Sequence, residues 1–194
     1  MNQEGKLTLI VGPMYSGKTS ELISFVEIYA LGKKKIKVFK SILDDRYDKT
    51  CIVSHANAKV DALPVKDPQD LIGHLQGDEK AVFIDEVQFL PPSLVETLLK
   101  LTDGGTHVYC SGLDLNFKNR PFETTMHLMA HADVVTKKRA VCHECGEYTG
   151  TISHKRVEDE REIDVGGFEK YIAACRPCYN RLNARHPERT TERR

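Results

Sequence analysis

Apolar positions along this chain switch repeatedly between the spacing of strands and that of helices. Lys6-Leu7-Thr8-Leu9-Ile10-Val11 is a short β-forming run, closed by a glycine turn from Gly12 to Gly17. From Lys18 to Leu31 the period lengthens. Leu22, Phe25, Val26, Tyr29 and Ala30 share one helical face, and Gly32 supplies a stop. Ile36-Lys37-Val38-Phe39 predicts a second strand, and the polar, irregular residues 41–60 predict a mobile loop. Asp67 to Leu75 reads as helix, and Ala81-Val82-Phe83-Ile84 as a buried strand ending at Asp85-Glu86. Pro91-Pro92-Ser93 opens a helix with Leu94, Leu98 and Leu101 on one face, stopped by Gly104-Gly105. Thr106 to Ser111 is a strand, Pro121 to Ala132 a helix and Val134-Val135 a short strand.

This alternation up to about residue 138 predicts an α/β domain with a mainly parallel sheet covered by helices on both faces. Ligands then gather at the carboxyl ends of the strands. From Ala140 the texture changes: cysteines pair up, glycines cluster and apolar runs shorten. A boundary near residue 139 separates a first domain, 1–139, from a small second one, 140–182. Residues 183–194, polar and Arg-rich, form a fraying tail.

The charge balance narrows the function. There are 28 Lys and Arg against 28 Asp and Glu, which gives no global pull toward nucleic acid or anionic membrane, so neither is expected as a partner. No apolar run approaches the ~20 residues of a spanning helix. The amino end lacks the basic start and apolar core of a secretory signal, so a cytoplasmic location is expected. Disulfides are rare there, so the six cysteines need another explanation.

Gly12-Pro13-Met14-Tyr15-Ser16-Gly17-Lys18-Thr19 matches the phosphate-loop pattern G-x-x-x-x-G-K-[ST] between a strand and a helix. Its glycines let successive N–H groups surround a phosphate, and the helix adds its positive end. Lys18 is expected at the β- and γ-phosphates and the Thr19 hydroxyl on Mg²⁺. Asp85, at the end of an apolar strand, is the expected second magnesium-side group. Glu86 can take a proton from an attacking oxygen. If that oxygen is water, the protein is a motor or switch; if it is a substrate hydroxyl, a kinase. These residues alone do not separate the two. Arg46 is either a phosphate-side cation or a solvated surface arginine.

Cys142-His143-Glu144-Cys145 and Cys175-Arg176-Pro177-Cys178 are two C-x-x-C pairs. Together they complete a tetrahedral four-cysteine site with no open position, so the expected Zn²⁺ is structural. His143 is a competing ligand by position only. Cys110 reads as strand core and Cys51 as a loop thiol. Between the pairs, Gly166-Gly167 is either a hairpin turn or a place where backbone approaches a flat ligand.

The motifs GPMYSGKT, FIDEVQF, LDLNFKNRPF, AVCHEC, DVGGFEKY and CRPCY, in this order from about Lys6 to Tyr179, resemble those of zinc-containing thymidine kinases. The resemblance implies a RecA-like phosphate-loop domain with a zinc lasso. The implied reaction is transfer of the γ-phosphoryl group of ATP to the 5′-hydroxyl of thymidine. By position it makes Glu86 the general base, Asp85 and Thr19 the Mg²⁺ groups, and residues 12–19, Arg46 and Asp85 to Gln88, including Val87, the ATP site. It places Met14, Phe89, Leu113, Phe117 and Phe122 around thymidine. Ile163, Asp164, Val165 and Gly166 would offer backbone groups to the base, and Tyr171 would close the site. Phe117, in a polar loop, is the least core-like of these. The chain departs from the family pattern where Ser153-His154-Lys155, with one extra loop residue after Cys145, stands for a threonine motif that would give Ser153 a pocket role through its hydroxyl, and where Ser41 replaces a common proline. The resemblance also implies a homotetramer inhibited by thymidine triphosphate. The rival readings are an ATP-driven nucleic-acid motor with a zinc ribbon and a nucleotide switch without transfer.

Overall fold

The computed structural model describes residues 4–44, 50–54, 58–156 and 166–184. Arg46, Ile163, Asp164, Val165 and the tail beyond residue 184 lie outside the described residues. The chain runs β1 (Leu7–Val11), α1 (Lys18–Leu31), β2 (Ile36–Ser41), β3 (Cys51–Val53), β4 (Lys59–Asp61), β5 (Leu63–Val65) and α2 (Pro68–Gly73). It continues through β6 (Ala81–Asp85), α3 (Leu94–Asp103), β7 (His107–Gly112), α4 (Glu123–His131) and β8 (Val134–Lys137). A small unit of β9 (Ile152–Lys155), β10 (Tyr171–Ala174) and α5 (Arg176–Ala184) follows.

Six strands form one sheet in the order β5-β2-β6-β7-β1-β8, every pairing parallel. Both faces are covered, and the central strand β6, Ala81-Val82-Phe83-Ile84, accordingly reads as an unbroken apolar run up to Asp85. Alternate residues go to opposite faces. Ile10, Val38, Ala81 and Phe83 pack against Leu22, Ile23 and Val26 of α1. Leu9, Val11, Val82, Ile84 and Cys110 pack against Leu94 and Leu98 of α3 and Leu128 of α4. All five residues of β6 are buried, so the Asp85 carboxylate at its end is delivered into the protein.

α1 has the predicted bounds, but its buried face differs: Ile23 joins Leu22 and Val26, while Ala30 is exposed. α2 is shorter than predicted at both ends: Asp67 is its cap, accepting the Asp70 N–H at 2.8 Å, and the helix stops at Gly73 with His74 as its carboxyl cap. α4 starts at Glu123, since Pro121 bridges Leu115.

The described part of 41–60 is not an irregular loop. β3 and β4 pair antiparallel, and Ile52, Val60 and Ala62 cover the α1 side of the sheet. Cys51 is therefore a buried strand residue and not a loop thiol. Strands of three residues are too short to show an alternation. β5 carries Pro64, tolerated because it lies at the sheet edge. Asn183, placed by sequence in the tail, is buried in α5, whose Cys178 and Tyr179 face the cysteine cluster.

Candidate active site

The phosphate loop leaves β1 at Gly12 and enters α1 at Lys18. Gly17 caps the helix with φ 76° and ψ 25°, a left-handed conformation that glycine adopts at little cost. Tyr15 holds φ 63° without that freedom. Ser16 Oγ and Lys18 Nζ each donate to the Pro13 carbonyl at 2.8 Å, so the loop is folded on itself and Lys18 is buried.

Asp85 meets the start of α1: Thr19 Oγ1 donates to Asp85 Oδ2 at 3.0 Å. Ser111, at the end of β7, donates to the other oxygen, Oδ1, which also accepts the Glu86 N–H at 3.0 Å. Glu86 itself is buried and left-handed, φ 55° and ψ 44°. Non-glycine residues in this region are strained, and such strain clusters at functional sites. The Gln88 amide donates to Glu86 Oε2 and accepts the Leu113 N–H at 3.0 Å. Val87, Gln88 and Phe89 form a short 3₁₀ turn that carries Gln88 inward.

The phosphate loop, Asp85 and Glu86 share one cleft, open to solvent. It is lined by Met14 to Ser20, Asp85, Glu86 and Leu113, together with Lys40, Asp44, Cys51 and Val53. Lys40 stands opposite Asp85 in the β2–β6 register. Its Nζ lies 3.2 Å from Asp44 Oδ2 and donates to the Cys51 carbonyl at 3.2 Å.

The expected aromatic positions lie outside this lining. Phe89 and Phe122 are half-buried, Phe122 at the start of α4. Phe117 and Tyr171 come together through Lys155, whose buried Nζ lies 5.1 Å from the Phe117 ring and 6.0 Å from that of Tyr171. Tyr179 donates to the Phe117 carbonyl at 2.8 Å, tying that loop to α5. Gly166 and Gly167 lie in the connection leading to β10, where the Gly167 carbonyl accepts the Lys170 and Tyr171 N–H groups.

The sulfurs of Cys142, Cys145, Cys175 and Cys178 all lie within 4.8 Å of one another. Four thiolates at ~2.3 Å from one tetrahedral ion stand about 3.8 Å apart, so the donor set and spacing fit zinc. Burial opposes ionisation of Cys142, but N–H groups of Cys175, Cys145 and Glu144 outweigh it and bring the thiol down to about 6. Hydrogen bonding with Cys175, burial and the neighbouring Cys142 push Cys178 up to about 12. A divalent cation held by the four cysteines would remove that conflict by stabilising all four thiolates together. His143 is not part of the cluster; its ring meets Phe168 edge-on at 5.1 Å. Cys110 is strand core, with burial pushing its thiol up.

Sequence reasoning missed Ser111 and Lys40. The available signal was their place at the carboxyl ends of parallel strands. Ser153, for which the resemblance implied a pocket role through its hydroxyl, accepts the Met14 N–H at 2.9 Å.

Among the described residues no helix is long and apolar enough to cross a membrane. A solved structure, the flagellar accessory protein FlaH from Methanocaldococcus jannaschii, overlaps 70% of this chain and 71% of its own. Its TM-score is 0.48 at 12% identity, an overlap too loose to build on. A relative from Pseudothermotoga lettingae, thymidine kinase, is 53% identical over 182 residues, covering 94% of this chain and 98% of that protein. The family model "Thymidine kinase" matches residues 5–179. On that match and that identity, the chain belongs to the thymidine kinase family.

Proposed function

We propose that the cleft transfers the γ-phosphoryl group of ATP to the 5′-hydroxyl of thymidine, with Glu86 as the base. The observation that carries this reading is the placement of Glu86. It is buried, left-handed and hydrogen-bonded to Gln88, on the same cleft as the phosphate loop. The alternative of a water nucleophile loses its ground with the family, whose members are kinases.

In this reading the loop N–H groups and Lys18 hold the triphosphate at the helix start. Thr19 and Asp85, a hydroxyl and a carboxylate already in contact, are hard oxygen donors of the kind Mg²⁺ takes. When bound, that ion neutralises phosphate charge. The sugar oxygen attacks the γ-phosphorus, the bond to the β-phosphate oxygen breaks, and ADP leaves. The hydroxyl proton passes to a Glu86 carboxylate oxygen. Catalysis is mainly positioning and charge stabilisation. Arg46 is the proposed additional cation on the transferred group.

Met14 and Leu113, with Phe89, Phe117 and Phe122, would enclose the nucleoside, under the chain from Ile163 through Asp164 and Val165 to Gly166 and closed by Tyr171. Structural zinc braces that segment, and the boundary near residue 139 separates the two units. A cytoplasmic homotetramer, inhibited by thymidine triphosphate, completes the proposal.

The test is transfer of labelled γ-phosphate to thymidine, deoxycytidine and single-stranded DNA in parallel. Label appearing on thymidine supports the reading. ATP hydrolysis at the same rate with and without nucleoside, leaving the sugar unmodified, overturns it.

A further inference from the structure

We infer that Ser153 is a positioning residue for the ATP loop, acting through Met14. The inference rests on the reading that the phosphate loop holds ATP. The Met14 N–H donates to Ser153 Oγ at 2.9 Å, between residues that are both buried and stand 139 apart in the chain. The next loop residue, Tyr15, is the strained one at φ 63°. Its ring meets Phe168, from the turn before β10, edge-on at 5.7 Å. Two successive residues of the phosphate loop are thus gripped from the small unit.

That unit is a firm support. Ser153 lies in β9, paired with Ala173 of β10. Its neighbour Ile152 packs in one cluster with Cys142, Cys175 and Cys178. A continuous chain of contacts therefore runs from the four cysteines to the loop. The Met14 amide serves as an anchor that fixes the arc of the remaining loop N–H groups before nucleotide arrives. Loss of the anchor leaves the loop to be ordered at the expense of ATP binding.

The test compares Ser153→Val with Ser153→Thr, near-isosteric side chains of which only threonine keeps the hydroxyl, in the full zinc-loaded chain. Mg·ATP binding is measured by calorimetry without nucleoside, alongside KM for both substrates. The expected result is ATP binding and ATP KM weakened about five-fold in the valine variant, the scale of one lost hydrogen bond. Nucleoside-free ATP binding is the deciding readout, because Met14 is also placed around the nucleoside and thymidine KM moves with it; zinc content is unchanged and threonine restores ATP affinity. Unchanged nucleoside-free ATP affinity in the valine variant overturns the inference. Should the valine variant not fold, amide hydrogen exchange of the unaltered chain without nucleotide decides: slow exchange at Met14 supports the anchor, and exchange at the rate of an open loop refutes it. The same exchange measurement decides if the unaltered chain fails to bind ATP, a result that would instead defeat the proposed function.

Discussion

The side-chain amide of Gln88 donates to the carboxylate of Glu86, and its other end accepts the Leu113 N–H. The glutamate is thereby oriented by a residue two positions on and by the loop after β7, while its own backbone is held in a left-handed conformation. Glu86→Gln keeps the shape and removes the proposed proton acceptor. Turnover is expected to fall by about 10²–10⁴-fold, the usual range for a general base, with thymidine KM nearly unchanged. Steady-state kinetics check this, and near-normal turnover would remove Glu86 from the role.

Gly112 makes room for that orientation. A Cβ there would lie 2.7 Å from Gln88 Oε1 and 2.8 Å from Val87 Cγ2. Gly112→Ala must displace Gln88 and so loosen Glu86. A fall in kcat of about ten-fold is expected, smaller than for Glu86→Gln because the proposed base remains. A variant with unchanged kcat and pH profile would show that Gln88 does not orient the carboxylate.

What could be read in the sequence was local or periodic. β6 announced itself because burial on both faces leaves its first four positions without a polar interruption. The phosphate loop and the cysteine pairs are spacings within a few residues. The β3–β4 hairpin escaped because three-residue strands carry no period, and β5 because Pro64 argues against a strand anywhere but an edge. Contacts such as Ser111 with Asp85 and Ser153 with Met14 join distant segments, and no pattern near either residue encodes the partner.

The cysteine cluster is expected to contribute folding energy outright. Chelator treatment, or Cys145→Ser, should lower stability by at least about 3 kcal/mol, roughly 10 °C for a chain of this size. Metal analysis by mass spectrometry with parallel thermal melts checks it. Pure, folded protein without zinc and with an unchanged melt would refute a structural metal.

Lys40 and Asp44 form an ion pair with side chains only 2% and 7% exposed, and Lys40 also holds the Cys51 carbonyl. Lys40→Met leaves the Asp44 carboxylate without its lysine in a buried wall of the cleft. The expected cost is about 3–5 kcal/mol, and Lys40→Met with Asp44→Leu should recover part of it, since an apolar pair replaces a buried ionic one. Urea denaturation of the single and double variants measures both terms.

Glu79 ties down the turn before β6. Its carboxylate is buried and accepts N–H groups of Gln76 and Gly77, each at 2.9 Å. Burial pushes its acidity toward a higher pKa, but the hydrogen bonds from Gln76, its own N–H and Gly77 prevail and hold it below the ordinary 4.5. A group with a depressed folded pKa stabilises the fold above its unfolded value, and that contribution disappears as pH falls through the folded value. Glu79→Gln should therefore cost about 1 kcal/mol at neutral pH, where a charged acceptor is lost. The gap should begin to close once pH drops below 4.5 and vanish in stronger acid. Denaturation midpoints of both proteins across pH 7 to 3 give the curve; a gap that stays constant, or widens in acid, would mean the carboxylate's charge does not support this turn.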